Sequence, residues 1–550
     1  MNWKSFRCRL KAWNRNPSFI PMLRLNLFFL ALTCSWTVAG VAGQPRPQRA
    51  FALEEREVPG NLRSVRLRDV DGDGVRDLVY VAVEDDRREL GYYRGRAEGG
   101  FEEVAAHRLR LKPDVILVGI GDLDSARGVE FVLFGHASVF VYRHTTATEA
   151  GRYRRLFRET LFYSFADPSD APIWPFIRDL DGDGLEDLCL PARNGYVFRF
   201  QSRTPDGASS FNRVSRVPAW LDQESAARRG RRMSLSVSVS GRRYSRRSEP
   251  TAPPVEGYMV ESRRRMSSPV LADENGDGRL DLLLLEGHQL KVWRQDPDRS
   301  FPSAPSQILD LEKVLALAPR WARTGNIRFA ELDGERGLDF LVRQAVKRNI
   351  RTRLLVFPGG VEALRELPRR ILVLNGLTSA PRFHDVNGDD RPDLLVPTYR
   401  LDLLERAKQA AVRTVDVTLY LFLNRGKDVY AARPDYSRTE TLRTDRIAES
   451  GVEPMLYLDG DFNRDGRADL VVLDENDNLK VYLSTETEGG LFSSGGDFTF
   501  QNNPVVSVHI KVPRKIRLID QNQDGVSEIL MLYERGFTLG GWGLRREHGR

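Results

Sequence analysis

A nine-residue acidic pattern returns eight times along this 550-residue chain, each time between two apolar runs. Six copies are complete: DVDGDGVRD from Asp69 to Asp77, DLDGDGLED from Asp179 to Asp187, DENGDGRLD from Asp273 to Asp281, DVNGDDRPD from Asp385 to Asp393, DFNRDGRAD from Asp461 to Asp469 and DQNQDGVSE from Asp520 to Glu528. Two more are altered, DLDSARGVE from Asp122 to Glu130 and ELDGERGLD from Glu331 to Asp339. Successive starts lie mostly about 53 to 59 residues apart, with two longer intervals. Self-similarity at such a period marks a fold built from repeated supersecondary units, none of which buries its apolar face alone. A domain count from length, at roughly 150 residues per domain, therefore loses its force.

The spacing has a chemical reason. Calcium takes roughly six to eight oxygen ligands, from carboxylates, amides and backbone carbonyls. Side chains at positions 1, 3 and 5 converge when the chain curls tightly, the carbonyl of position 7 adds an oxygen, and the acid at position 9 can bind through both of its own. The expected ligands are Asp69, Asp71, Asp73, Val75 and Asp77 in the first loop, and Asp179, Asp181, Asp183, Leu185 and Asp187 in the third. Asp273, Asn275, Asp277, Arg279 and Asp281 follow, then Asp385, Asn387, Asp389, Arg391 and Asp393. The last two sets are Asp461, Asn463, Asp465, Arg467 and Asp469, and Asp520, Asn522, Asp524, Val526 and Glu528. That makes about six Ca2+ sites. Position 6 has to turn sharply and carries Gly74, Gly184, Gly278, Gly466 and Gly525, residues free to take positive φ. Asp390 stands there in the sixth loop, and aspartate tolerates the left-handed region better than most residues. The pattern begins like an EF-hand, but its last acid comes three positions too early and a β-like run, not a helix, follows.

The two altered loops carry Arg127 and Arg336 at position 6 and glycine at position 7. Either these guanidinium groups fold into their own loops and replace the ion through charge-assisted bonds, or the loops are solvated remnants.

Each loop is followed by two apolar runs, as in Leu78 to Val83 then Leu90 to Tyr93, and often by a segment opened by an aromatic such as Phe101 or Phe301. Four short strands per unit of about 50 residues is the character of a propeller blade. After the last loop the chain supplies only Ile529 to Tyr533 and Phe537 to Gly543, one strand short of a blade. Phe51 to Val58 precedes the first unit and fills that gap. The expected fold is thus an all-β propeller over residues 51–543, with eight four-stranded blades closed by an N-terminal strand and seven blades as the alternative.

The run D-x-[DN]-x-D-G-x-x-[DE] followed by Leu-Val or Leu-Leu resembles the FG-GAP or VCBS repeat family, to which the propeller of integrin α chains belongs. The resemblance spans about residues 51 to 543, and it implies calcium in the blade loops with adhesion or ligand-binding roles. The FG-GAP halves survive only as partial echoes, Phe357-Pro358-Gly359-Gly360 and Leu423-Asn424-Arg425-Gly426, which weakens transfer of the integrin ligand mode more than transfer of the fold.

Basic residues Lys4, Arg7, Arg9, Lys11, Arg15 and Arg24 precede an apolar run from Leu25 that ends in Val41-Ala42-Gly43. Basic, apolar and small, in that order, reads residues 1–43 as a secretory signal, or else as an N-terminal anchor. The expected location is secreted, periplasmic or cell surface, with no membrane span in the mature chain. Of three cysteines only Cys189 lies beyond that segment, in an apolar run, so it reads as a buried core residue with no disulfide framework. The net charge of +7 is unevenly placed, because arginines crowd the insertion at 203–266, among them Arg228, Arg229, Arg231 and Arg232. Within it Ser234 to Ser240 alternates with Leu and Val, a strand signal. This insertion either binds an anionic polysaccharide, an envelope surface or a protein ligand, or is a solvated loop. Nucleic acid is not the expected partner of an exported chain, and a monomer is expected. A second insertion at 400–413 reads as a short amphipathic helix.

No HExxH, GxSxG, Walker or Rossmann motif occurs. The seven histidines are scattered, with only His384 beside an acidic loop. The expectation is a binding, adhesion or envelope-scaffold module and not an enzyme. The alternative is a carbohydrate-active lyase or hydrolase on a propeller, which rests on fold analogy alone.

Overall fold

The computed structural model describes residues 50–544 except 162–170, 220–232, 239–260, 312–325, 400–413, 444–455, 488–496 and a few shorter stretches (86, 125–126, 146–147, 193–194, 206–208, 267, 287–288, 336 and 347–350). The expectations for 1–43 and 400–413 fall outside the described residues.

Eight antiparallel sheets follow one another along the chain, each with the strand order of a blade. Blade 1 comprises Asn61–Arg68, Asp77–Glu84, Arg87–Tyr93 and His107–Arg110, hydrogen-bonded in that sequence. Blades 2 and 3 repeat it from Val115–Gly121 and Ile177–Arg178, and blades 4 and 5 from Val270–Ala272 and Asn326–Ala330. In blade 6 the first strand is broken into Leu377–Thr378 and Arg382–His384, both pairing with Asp393–Tyr399. Blade 7 starts at Leu456–Gly460. Blade 8 has three strands from the chain's end, Lys515–Ile519, Glu528–Tyr533 and Gly536–Trp542. Its fourth is Phe51–Glu57, running from the Phe51↔Trp542 pair to Glu57↔Gly536. The protein is an eight-bladed propeller closed by its N-terminal strand, and the seven-blade alternative is set aside.

Strand composition follows position in the blade. Second strands lie between neighbouring blades and are apolar almost throughout: DLVYVAVE at Asp77–Glu84 is buried at every residue but the last. Outer strands face solvent on one side and alternate, as in RILVLN at Arg370–Asn375. The core is accordingly a series of inter-blade layers. One of them crosses the closure, where Phe537 of blade 8 packs on Tyr93 and Phe101 of blade 1 at 5.3 and 5.6 Å between ring centroids. Glu54, 2% exposed, pairs there with Arg96 and lies 3.3 Å from Arg56. Cys189 is fully buried beside Tyr196, Phe198 and Trp293.

Phe101 and Phe301 do not open the outer strands. They are buried plugs several residues ahead of His107–Arg110 and Gln307–Asp310. Ser209–Pro218, within the stretch read as an insertion, is the outer strand of blade 3, with Phe211 and Val217 buried. Beyond it Met233–Ser238 pairs with Glu261–Met266 as a separate hairpin. A second hairpin, Ser484–Thr487 with Asp497–Phe500, leaves blade 7 before its outer strand.

Candidate metal centres

Every acidic loop joins the first strand of a blade to its second. The six complete copies share one hydrogen-bond ladder. The position-1 carboxylate accepts the N–H of position 6, as between Asp69 and Gly74 at 2.8 Å, Asp179 and Gly184 at 2.9 Å, and Asp273 and Gly278 at 2.8 Å. Asp385, Asp461 and Asp520 do the same with Asp390, Gly466 and Gly525. Position 5 accepts the N–H of position 7 in all six, from Val75, Leu185, Arg279, Arg391, Arg467 and Val526. Side chains 1, 3 and 5 are thereby held along the inside of one curl.

The curl needs two left-handed residues. Position 6 is one, with Gly184 at φ 83° and Asp390 at φ 62°. Position 4 is the other, with Gly182 at 79° and, where glycine is missing, Arg464 at 61° and Gln523 at 58°. The second requirement was not read from the sequence, although glycine at position 4 in most copies is its trace.

Two loops gather three carboxylates each. One oxygen from each of Asp69, Asp71 and Asp77 lies within 4.8 Å of the others, and so it is for Asp179, Asp181 and Asp187. Both clusters are all-oxygen, matching a hard divalent cation. The other four complete loops have Asn275, Asn387, Asn463 and Asn522 at position 3, and their ligand sets would rest on amide oxygens as well.

The acid at position 9, expected as a ligand, also holds the loop to the sheet. In all eight loops it is buried, and one oxygen accepts the N–H of position 2 at 2.6–3.2 Å. In the six loops ending in aspartate, the other oxygen takes a backbone N–H from the end of the third strand or just beyond it, at 2.7–3.0 Å: Gly95, Gln201, Gln295, Gly359, Asn424 or Ser484. It is first a latch between loop and sheet. Burial pushes Asp77, Asp187, Asp393 and Glu528 up to about 7, and Asp281 and Asp469 up to about 6. The backbone N–H bonds oppose this, and the loop's own carboxylates add to it. A cation among those carboxylates would reverse the repulsion.

In the altered second loop a guanidinium does meet the acids, but it comes from elsewhere. Arg127 reaches out of its loop to the Gly72 carbonyl of blade 1. Arg143, on the third strand of blade 2, contacts Asp124 at 2.6 Å and also Glu130. With glycine moved to position 7, Gly128 takes the left-handed φ of 90°, so Arg127 no longer has to point along the curl. Arg94 holds the matching register in blade 1 and contacts Asp71 at 2.6 Å. Arg336 lies outside the described residues, while its neighbour Gly337 is left-handed at φ 129°.

The loops are tied to one another around the ring. Position 8 donates its N–H to the position-2 carbonyl of the preceding loop in Val129 to Val70 (3.2 Å), Leu338 to Glu274 (3.3 Å), Ala468 to Val386 (2.9 Å) and, across the closure, Arg76 to Gln521 (3.3 Å). Ser527 donates to Asp461 at 2.6 Å. Pro392 has no N–H to give, and the Asn424 side chain reaches Leu332 instead at 2.7 Å. Gln295 serves Leu180 at 2.8 Å, and the Ser209 hydroxyl serves Leu123. All eight seams are bridged.

His384 is partly buried beside Asp385, and burial holds its imidazole below the usual range. Among the described residues no helix is long and apolar enough to cross a membrane.

Neither a protein-family model nor a curated protein sequence matches the chain. Among solved structures it is similar to the WD40 domain of Toxoplasma gondii coronin, with 8% identity and a TM-score of 0.32 over 92% of this chain and 89% of that one. It is also similar to a chain of the Photorhabdus luminescens Tc holotoxin pore, with 13% identity and a TM-score of 0.28. That match covers 90% of this chain and 23% of the toxin chain, so the protein spans about a quarter of its length.

Proposed function

We propose that this chain is an exported binding module of the FG-GAP or VCBS type, working by adhesion or as an envelope scaffold and not by turnover. Calcium in its six complete loops fixes the ring. The observation that supports this most is the shared ladder of the six complete loops, together with the gathering of the carboxylates of positions 1, 3 and 9 in two of them. Ca2+ suits an all-oxygen set on a flexible loop, while Mg2+ demands tighter octahedral geometry. Affinity in such extracellular modules is ~10⁻⁴ to 10⁻³ M. An ion that binds only the folded chain raises its stability by mass action. The test is a melting curve of the exported form with calcium, with magnesium and with chelator. A rise with calcium well above that with magnesium supports the reading; equal curves in all three overturn it. A glycan array and pull-down from envelope extracts then ask for the ligand.

A further inference from the structure

A pocket of about 390 Å³ opens directly over the third acidic loop, at the seam between blades 3 and 4. Its walls carry unlike groups at close quarters. Asp181 and Asp183 come from the loop, Gln201 and Ser202 from the strand end of blade 3, Arg213 from its outer strand and Arg299 from a turn of blade 4. The volume falls in the range of small-molecule sites, roughly 300–1,000 Å³, and suits a monosaccharide or a little more.

Two observations bear on what this pocket takes. Gln201 is 1% exposed; its amide nitrogen donates to Ser209 at 3.1 Å, but its Oε1 has no hydrogen-bond partner among the described residues. A buried carbonyl oxygen left without a donor costs stability, and a donor from a ligand in the pocket would supply it. Second, Arg213 lies flat over Phe200, 4.2 Å from the ring centroid, and spends its charge on Asp181. Asp181 is a member of the three-carboxylate cluster. A cation in that cluster takes over Asp181 and leaves a pre-positioned guanidinium facing the pocket, with Arg299 beside it on a bond of 3.0 Å to the Gly278 carbonyl of the fourth loop.

We infer that this pocket binds a carboxylated saccharide of hexuronate size once the third loop is loaded. The carboxylate meets Arg213 and Arg299 in charge-assisted bonds, a ring hydroxyl donates to Gln201 Oε1, and others meet Asp183 and Ser202. The inference rests on the calcium reading above.

The experiment is calorimetric titration of the full chain with glucuronate, glucose and acetate, each with calcium and with chelator. Glucuronate should bind with calcium, and glucose and acetate about tenfold more weakly, since each lacks half of the recognised groups. Arg213→Gln and Arg299→Gly should each weaken glucuronate by about tenfold while keeping the calcium-dependent melting shift. Arg299 has φ 65°, so glycine fits its backbone without strain. Binding that ignores both substitutions, that persists in chelator, or that does not separate glucuronate from glucose overturns the inference, as does no binding at all. Loss of the calcium melting shift in the unsubstituted chain strikes at the cation reading; a normal shift without saccharide binding strikes only at the pocket.

Discussion

Stripping the ions should make the fold sensitive to pH in an unusual direction. Asp77, Asp187, Asp393 and Glu528 are held up to about 7 in the folded chain, and Asp281 and Asp469 up to about 6, against roughly 4 when unfolded. Between those values the folded state carries more protons than the unfolded one, so stability falls as pH rises through the folded pKa. His107, His144 and His384, lowered by burial, work the other way in the lower part of the window from about pH 6.5 to 8, where the unfolded imidazoles still shed protons that the folded ones no longer hold. Over that window each group near 7 loses about 0.8 kcal/mol and each near 6 about 0.2, which is about 3.6 kcal/mol for the carboxylates, and the partly exposed histidines return up to about 1, leaving about 2.5 kcal/mol net. At about 2 cal/mol/K of unfolding entropy per residue, a chain of this size should melt about 2 °C lower at pH 8 than at pH 6.5 in chelator. With calcium the same comparison should be flat, because the ion compensates the ionised loops. Differential scanning calorimetry at fixed ionic strength decides it. A melting temperature in chelator that rises across this window would refute the reasoning.

Arg143→Met should take one guanidinium away from Asp124 and Glu130, at about 2 kcal/mol, and the loss should shrink when calcium is added, as the second loop becomes an ion site. Thermal melts with and without calcium check both parts. Glu54→Gln should cost about 3 kcal/mol by removing the buried carboxylate charge that Arg96 and Arg56 share at the closing strand, a loss read in urea as a lower midpoint and as faster cleavage near residue 50 by a protease. Cys189, fully buried with its thiol pushed up by desolvation, should resist iodoacetamide in the folded chain and react only in denaturant; native labelling would contradict its place in the core.

The acidic nonapeptides made most of the architecture legible. Their composition forces a tight curl, and the apolar runs either side of a curl at this period leave few alternatives to blades. The closing strand was legible for a simple reason: the last unit lacked one strand and the first had one to spare. What stayed hidden depends on partners at variable separation. The position-9 latch finds its second donor 14 residues on at Gln201 but 31 on at Asn424, so no fixed motif announces it. Arg143 could not be matched to Asp124 without the strand register. Arg127 was the nearer cation in sequence, but it faces the neighbouring blade. The plugs Phe101 and Phe301 looked like strand openers because an aromatic before a polar strand is ambiguous from pattern alone.

The latch and the ring of seams meet at one residue in seven of the eight loops, and this decides how an ion acts on the whole. Val70 shows the arrangement: its N–H is held by Asp77 of its own loop, and its carbonyl is held by Val129 of the next. Anything that straightens a loop by repelling its carboxylates therefore loosens the neighbouring seam too. In an open solenoid such loosening would begin at the terminal repeats, where one neighbour is missing. Here the last loop is bonded to the first, among other contacts by Arg76 N–H to the Gln521 carbonyl at 3.3 Å and by the Gln521 side chain to the Arg76 carbonyl at 3.0 Å, so no repeat is terminal. The expected consequence of chelation is one cooperative transition moved down in temperature, not a stepwise loss of blades. Two resolved transitions in chelator would show that the seams do not couple the loops.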